Sequence, residues 1–190
     1  MVQRLLAGAA WPLVAASHPV YGHLTNGEIF EEAEKLGAAD WRPVFLNAPQ
    51  NETLSALSES IVPGSMKALV NRFIDLLLSV DNPKHQQEFV ESLAAFETES
   101  QKRFGKRFPS LDASQKETLL MDASAQSSKA KASETGVGEG TSALEGHFEN
   151  LKGWISGAYY SSREGMRELG WTGDYVFESF PGCKHPEDHR

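Results

Sequence analysis

The chain has one cysteine in 190 residues, which excludes an internal disulfide scaffold and leaves only an intermolecular bridge as covalent chemistry for it. No Cys-x-x-Cys-His occurs, so the chain attaches no c-type haem itself. Basic residues are scarce, 18 against 26 acidic, for a net charge of -8. A nucleic-acid surface needs clustered Lys and Arg, and the longest cluster here, Lys102, Arg103, Lys106 and Arg107, is short and interrupted. No apolar run is long enough to span a bilayer. Glycine-rich phosphate loops, metal-ligand spacings and a nucleophile with its base are also missing from the pattern.

What is present is an ordinary globular composition, with 40% hydrophobic and 23% charged residues, enough for one domain with a core. Arg4 precedes an apolar run, Leu5 to Ala16, and Val14-x-Ala16 fits cleavage after Ala16. Residues 1–24 therefore read as an export signal. The competing reading is an N-terminal helix capped by Ser17, with Pro12 as its difficulty. A twin-arginine signal would require a start further upstream. His18 and His23 fit an irregular lead-in better than a ligand pair.

From Thr25 the sequence punctuates itself as helices. Thr25 with Glu28, Asn47 with Gln50 and Asp112 with Gln115 are capping boxes. Pro63-Gly64 ends the second helix, and Ser65 is the expected cap of MKALVNRFIDLLLSV. Its stripe of Met66, Leu69, Val70, Phe73, Ile74, Leu77 and Leu78 is expected to be core. Asp81 opens the next helix, with Pro83 early and Phe89, Val90, Leu93, Phe96 and Phe104 on its inner face; Gly105 breaks it. Residues 122–142, rich in Ala, Ser, Lys, Glu and Gly, lack the apolar side chains that offset ordering entropy and are expected to form a mobile loop. Leu144, Phe148, Leu151 and Ile155 recur at helical spacing near 142–161, and Gly153 and Gly157 leave one stripe of that helix bare. No segment sustains a period of two. The predicted fold is all-α: an irregular multi-helix bundle over residues 25–183, with the loop at 122–142, an irregular aromatic and glycine-rich C-terminal stretch and a tail at 184–190.

The segment from Gly153 to Cys183 concentrates aromatics, glycines and the sole cysteine. Trp154, Tyr159, Tyr160, Trp171, Tyr175 and Phe177 are its candidate partner contacts, since aromatics dominate interface hot spots. At helical spacing the same rings also suit a core, and for Trp154 and Tyr159 both readings stand. Gly165, Gly170 and Gly173 are assigned to backbone geometry, Gly170 to a left-handed helix end. Cys183 either bridges to a partner or stays an unpaired or packed thiol. A metal site of Cys183, His185 and His189 would lack a fourth ligand. Asp75 either pairs with Arg72 or caps a neighbouring loop, without a second group placed for acid–base work.

The order of these pieces resembles the gluconate 2-dehydrogenase subunit 3 family. The matching residues are Ser60-Ile-Val-Pro-Gly64, Arg72-Phe-Ile-Asp-Leu-Leu-Leu78, Phe104-Gly-Lys-Arg-Phe108 and Phe148 through Gly157-Ala-Tyr-Tyr-Ser161. Gly165, Glu168-Leu-Gly-Trp-Thr-Gly173 and Pro181-Gly-Cys183 complete the set. The resemblance implies a non-catalytic accessory subunit of a membrane-associated, flavin-dependent sugar or polyol dehydrogenase. It implies no catalytic, cofactor-binding or metal-binding residue in this chain. FAD would sit in a large glucose-methanol-choline-type partner, with haem c in a third, cytochrome c subunit. The complex would be periplasmic and peripheral to the membrane; without a working signal the chain would stay cytoplasmic. Two departures stand out: a single arginine in the signal region where the family often shows a pair, and the polar character of 122–142. The alternatives are an independent helical binding or stress protein and a metal-dependent enzyme.

Overall fold

A computed structural model describes residues 32, 33, 35–132 and 143–171, with the backbone alone for 125–132 and 143. Six α-helices make up the described part: α1 (Ala48–Ile61), α2 (Val70–Val80), α3 (Pro83–Phe104), α4 (Ala113–Ala132), α5 (Ala143–Tyr160) and α6 (Arg163–Glu168). A short 3₁₀ turn at Lys35–Gly37 precedes them, another at Phe108–Ser110 joins α3 to α4, and no strand occurs among the described residues. The all-α, irregular bundle is as expected. The stretch expected to be an export signal, the expected Thr25–Glu28 box and everything after Trp171 lie outside the described residues.

Local chemistry sets most helix ends. At α1 the Asn47 side chain accepts from Gln50 N at 2.9 Å, and the Gln50 side chain accepts from Asn47 N at 3.0 Å. Asp112 and Gln115 repeat the device at α4, at 2.9 and 3.2 Å. For α3 the N-cap is Asn82, which accepts from His85 N at 3.0 Å, with Pro83 in the first turn where its missing N–H costs nothing. Asp81 instead closes α2. Gly105, at φ +64°, ends α3 in the left-handed region.

Three further expectations change. Ser65 does not cap α2, which starts at Val70 after Leu69 at φ +56°. The Glu59 carboxylate accepts from Gly64 N at 2.9 Å and Met66 N at 3.0 Å, drawing these N–H groups out of any helical ladder. Ser65 Oγ donates back to Val62 O, and Val70 N–H reaches Ser65 O at 3.0 Å. Met66 consequently faces solvent rather than the core, while Val70, Ile74, Leu77 and Leu78 are fully buried. The third change is α4, which continues to Ala132 across the first half of the expected loop. Ala, Gln and Lys are good helix formers, so a polar stretch can extend a capped helix with few buried side chains. Residues 133–142 lie outside the described part.

Helix α5 is the hub, packing on α1, α2, α3, α4 and α6. Its Leu151, Trp154 and Ile155 meet Phe89, Leu93 and Phe96 of α3 and Leu119 of α4 in one continuous core. Phe89 meets Trp154 edge-on at 5.5 Å, and Phe96 meets Phe108 in the same way at 6.0 Å. Two side chains of α2 fasten the incoming chain. Arg72 donates to Leu36 O at 2.6 Å and Ala38 O at 3.1 Å and lies over the Trp41 ring. Asp75, fully buried, accepts from the backbone N–H groups of Val44, Phe45 and Leu46 at 2.6, 3.1 and 2.7 Å. Asp75 is thus the loop cap of the two roles its sequence context allowed.

Candidate docking surface

The aromatic residues of the C-terminal half separate by burial. Trp154 is 1% exposed and held against Phe89, so it is core and offers no face to a partner. Tyr159 is 3% exposed; its hydroxyl donates to Glu168 Oε1 at 2.9 Å and lies close to Gly64. Burial first, and then the Glu168 carboxylate beside it, raise the Tyr159 phenol above its ordinary value because both disfavour the phenolate. Tyr160, edge-on to Tyr159 at 5.3 Å, is 41% exposed, and Trp171 is 46% exposed. Of the proposed contacts, Tyr160 and Trp171 are open on this surface; Tyr175, Phe177 and Cys183 lie outside the described residues, as do His185 and His189.

The α5–α6 corner that carries these rings is built by three small residues. Ser162 caps α6, accepting from Gly165 N at 3.1 Å. A Cβ at Gly165 would fall 2.3 Å from the Tyr159 carbonyl oxygen, so only glycine lets α6 close on the end of α5. Gly170, at φ +78°, ends α6: Trp171 N–H reaches Met166 O and Gly170 N–H reaches Arg167 O, both at 2.9 Å. That is the left-handed helix end expected of Gly170.

Three polar clusters could be mistaken for reactive sites. Ser92 Oγ lies 3.1 Å from His147 Nδ1, but its proton goes to Glu88 O at 2.7 Å and Asn150 Nδ2 donates to it at 2.9 Å. Ser92 can only accept from the imidazole, so His147 acts there as a donor and not as a base. Glu97 receives Thr53 Oγ1, Phe108 N at 3.1 Å and Arg107 Nη2 at 3.4 Å, while Arg107 also donates to Glu52 and Pro49 O. This pins the Phe108–Ser110 turn onto the start of α1. Arg103 bridges Glu99 and Asp122, and its hydrogen bond holds the Glu99 carboxyl below its ordinary value. Among the described residues no three His, Cys, Asp or Glu side chains converge as a metal cage.

Among the described residues a groove of about 680 Å³ lies between the end of α1, the first half of α4, and α5. Ile61, Leu120, Met121 and Phe148 supply its apolar walls, and Lys116 and Lys152 flank them. Met121 is 61% exposed. Lys116 Nζ lies 5.9 Å from the Phe108 ring centre, and Lys152 Nζ lies 5.4 Å from that of Phe148 and 2.8 Å from Glu149. Sequence reading missed this groove, because its walls come from three distant stretches; the only local signal was Met121 following the buried Leu119.

No described helix is long and apolar enough to cross a membrane. No curated protein and no solved structure matches the chain. A family model described as gluconate 2-dehydrogenase subunit 3 matches residues 48–182, beginning at the first residue of α1 and taking in all six helices. With well over half of its length matched, the chain belongs to the gluconate 2-dehydrogenase subunit 3 family.

Proposed function

We propose that the chain is a non-catalytic accessory subunit of a flavin-dependent, glucose-methanol-choline-type sugar or polyol dehydrogenase, supporting folding, export or stability of the catalytic flavoprotein. The family match across the whole helical bundle carries this reading. The saturated hydrogen bonding of the Ser92 and Glu97 clusters supports it, since each is committed to holding helices together. FAD belongs to the partner. A third, cytochrome c subunit would carry electrons onward, and substrate selectivity would reside in the flavoprotein pocket.

On this reading the complex is periplasmic and peripheral to the membrane, and Tyr160 and Trp171 face the partner together with Tyr175, Phe177 and Cys183. The test is gentle affinity purification of the full chain from its native host, recording the visible spectrum of what accompanies it. A large flavoprotein with dehydrogenase activity is the expected companion. A monodisperse, flavin-free monomer, with dehydrogenase assembly unchanged on its deletion, would favour an independent helical binding protein instead.

A further inference from the structure

Exposed apolar surface on the described residues is mostly scattered, at Val44, Val80 and Leu169 for example, but Met121 is different because it sits on a concave surface. A void of about 680 Å³ is far larger than a packing defect and falls within the range of recognition clefts. Its walls belong to two long helices lying side by side, the shape that accepts an apolar anchor from a helix or extended segment.

Charge narrows the occupant. On a chain of net charge -8, two of the three charged side chains in the groove are lysines. Lys116 makes no ion pair among the described residues. Among the described residues Lys152 pairs with Glu149 three residues away, and both side chains are well exposed, so that contact is worth little. A segment that carries a carboxylate beside an apolar side chain complements such a site.

We propose that this groove is a seat of the catalytic subunit, in addition to the face that carries Tyr160 and Trp171. A segment of that subunit would place an apolar side chain against Ile61, Leu120, Met121 and Phe148 and a carboxylate between Lys116 and Lys152. The proposal rests on the accessory-subunit reading and adds the surface and the chemistry of the partner segment. Apolar burial supplies the attraction, and the paired ammonium groups set register and exclude basic segments.

The test uses the full chain co-expressed with its flavoprotein. Met121→Glu and the double reversal Lys116→Glu/Lys152→Glu alter exposed or half-exposed side chains, and unchanged thermal unfolding of the isolated chain checks the fold. Each is expected to weaken co-elution with the flavin-bearing partner by about tenfold or more. In a Cys183→Ser background, a photo-crosslinker on Met121→Cys should label a partner peptide containing an apolar residue beside Asp or Glu. Undiminished co-elution of both variants overturns the proposal while leaving the accessory role standing. So does a crosslink to a second copy, or to this chain's own residues with a lowered unfolding temperature. If the wild-type chain brings down no flavoprotein, the accessory reading itself falls, and the groove proposal with it.

Discussion

Gly165 lies so tightly against Tyr159 that a Cβ on the glycine would sit 2.3 Å from the tyrosine carbonyl oxygen. The obstacle is backbone, which cannot swing aside as a side-chain tip would. Gly165→Ala should therefore push α6 off the end of α5 and cost about 3 kcal/mol. Urea unfolding midpoints of the variant and the parent measure it. A change below about 0.5 kcal/mol would mean that the corner has room to relax.

Asp75 answers three backbone N–H groups at once. Asp75→Asn keeps the shape but turns one acceptor into a donor facing donors, and should cost about 3 kcal/mol. Hydrogen exchange at Val44, Phe45 and Leu46 should accelerate more than in the centre of α5. Equal acceleration in both places would show that the carboxylate is not a local clasp.

Trp154 and Trp171 are predicted to behave oppositely. Trp154→Ala empties a site in the middle of the core and should cost about 4 kcal/mol. Trp171→Ala should leave the isolated chain within about 0.5 kcal/mol of its parent. Only the second can be read as an interface variant, and thermal melts of the two separate the roles.

The raised Tyr159 phenol sets the sign of an alkaline effect. Its folded value lies above its unfolded value of about 10, so its contribution is complete below that pH and is lost as pH rises toward the folded value. Tyr159→Phe should cost about 1 kcal/mol at neutral pH through the lost bond to Glu168. It should also make the decline in stability above pH ~10 shallower than in the parent. Parallel declines in the two proteins would contradict the assignment.

Features governed by neighbours in sequence were legible before the structure. The Asn47–Gln50 and Asp112–Gln115 boxes, the helix stop at Gly105 and the left-handed end at Gly170 each need only a few adjacent residues, and all are found. The start of α2 was not, because Glu59, seven residues ahead of Met66, takes the N–H groups that a cap at Ser65 would have organised. Polar composition misled at 122–132, where helix propensity carried α4 onward. Trp154 and Trp171 could not be told apart by residue type, since core and surface ask the same of an indole until the packing is known. The groove was hidden for the same reason, its walls lying near residues 61, 120 and 150.

The Asp75 clasp also has a consequence in time. Its partners Val44, Phe45 and Leu46 precede it by 29 to 31 residues, so they leave the ribosome well before the carboxylate that secures them. Through that interval these three N–H groups lack the acceptor they have in the folded chain. Emergence of α2 ends that interval, making Asp75 the residue whose synthesis lets residues 44–46 take their native hydrogen bonds.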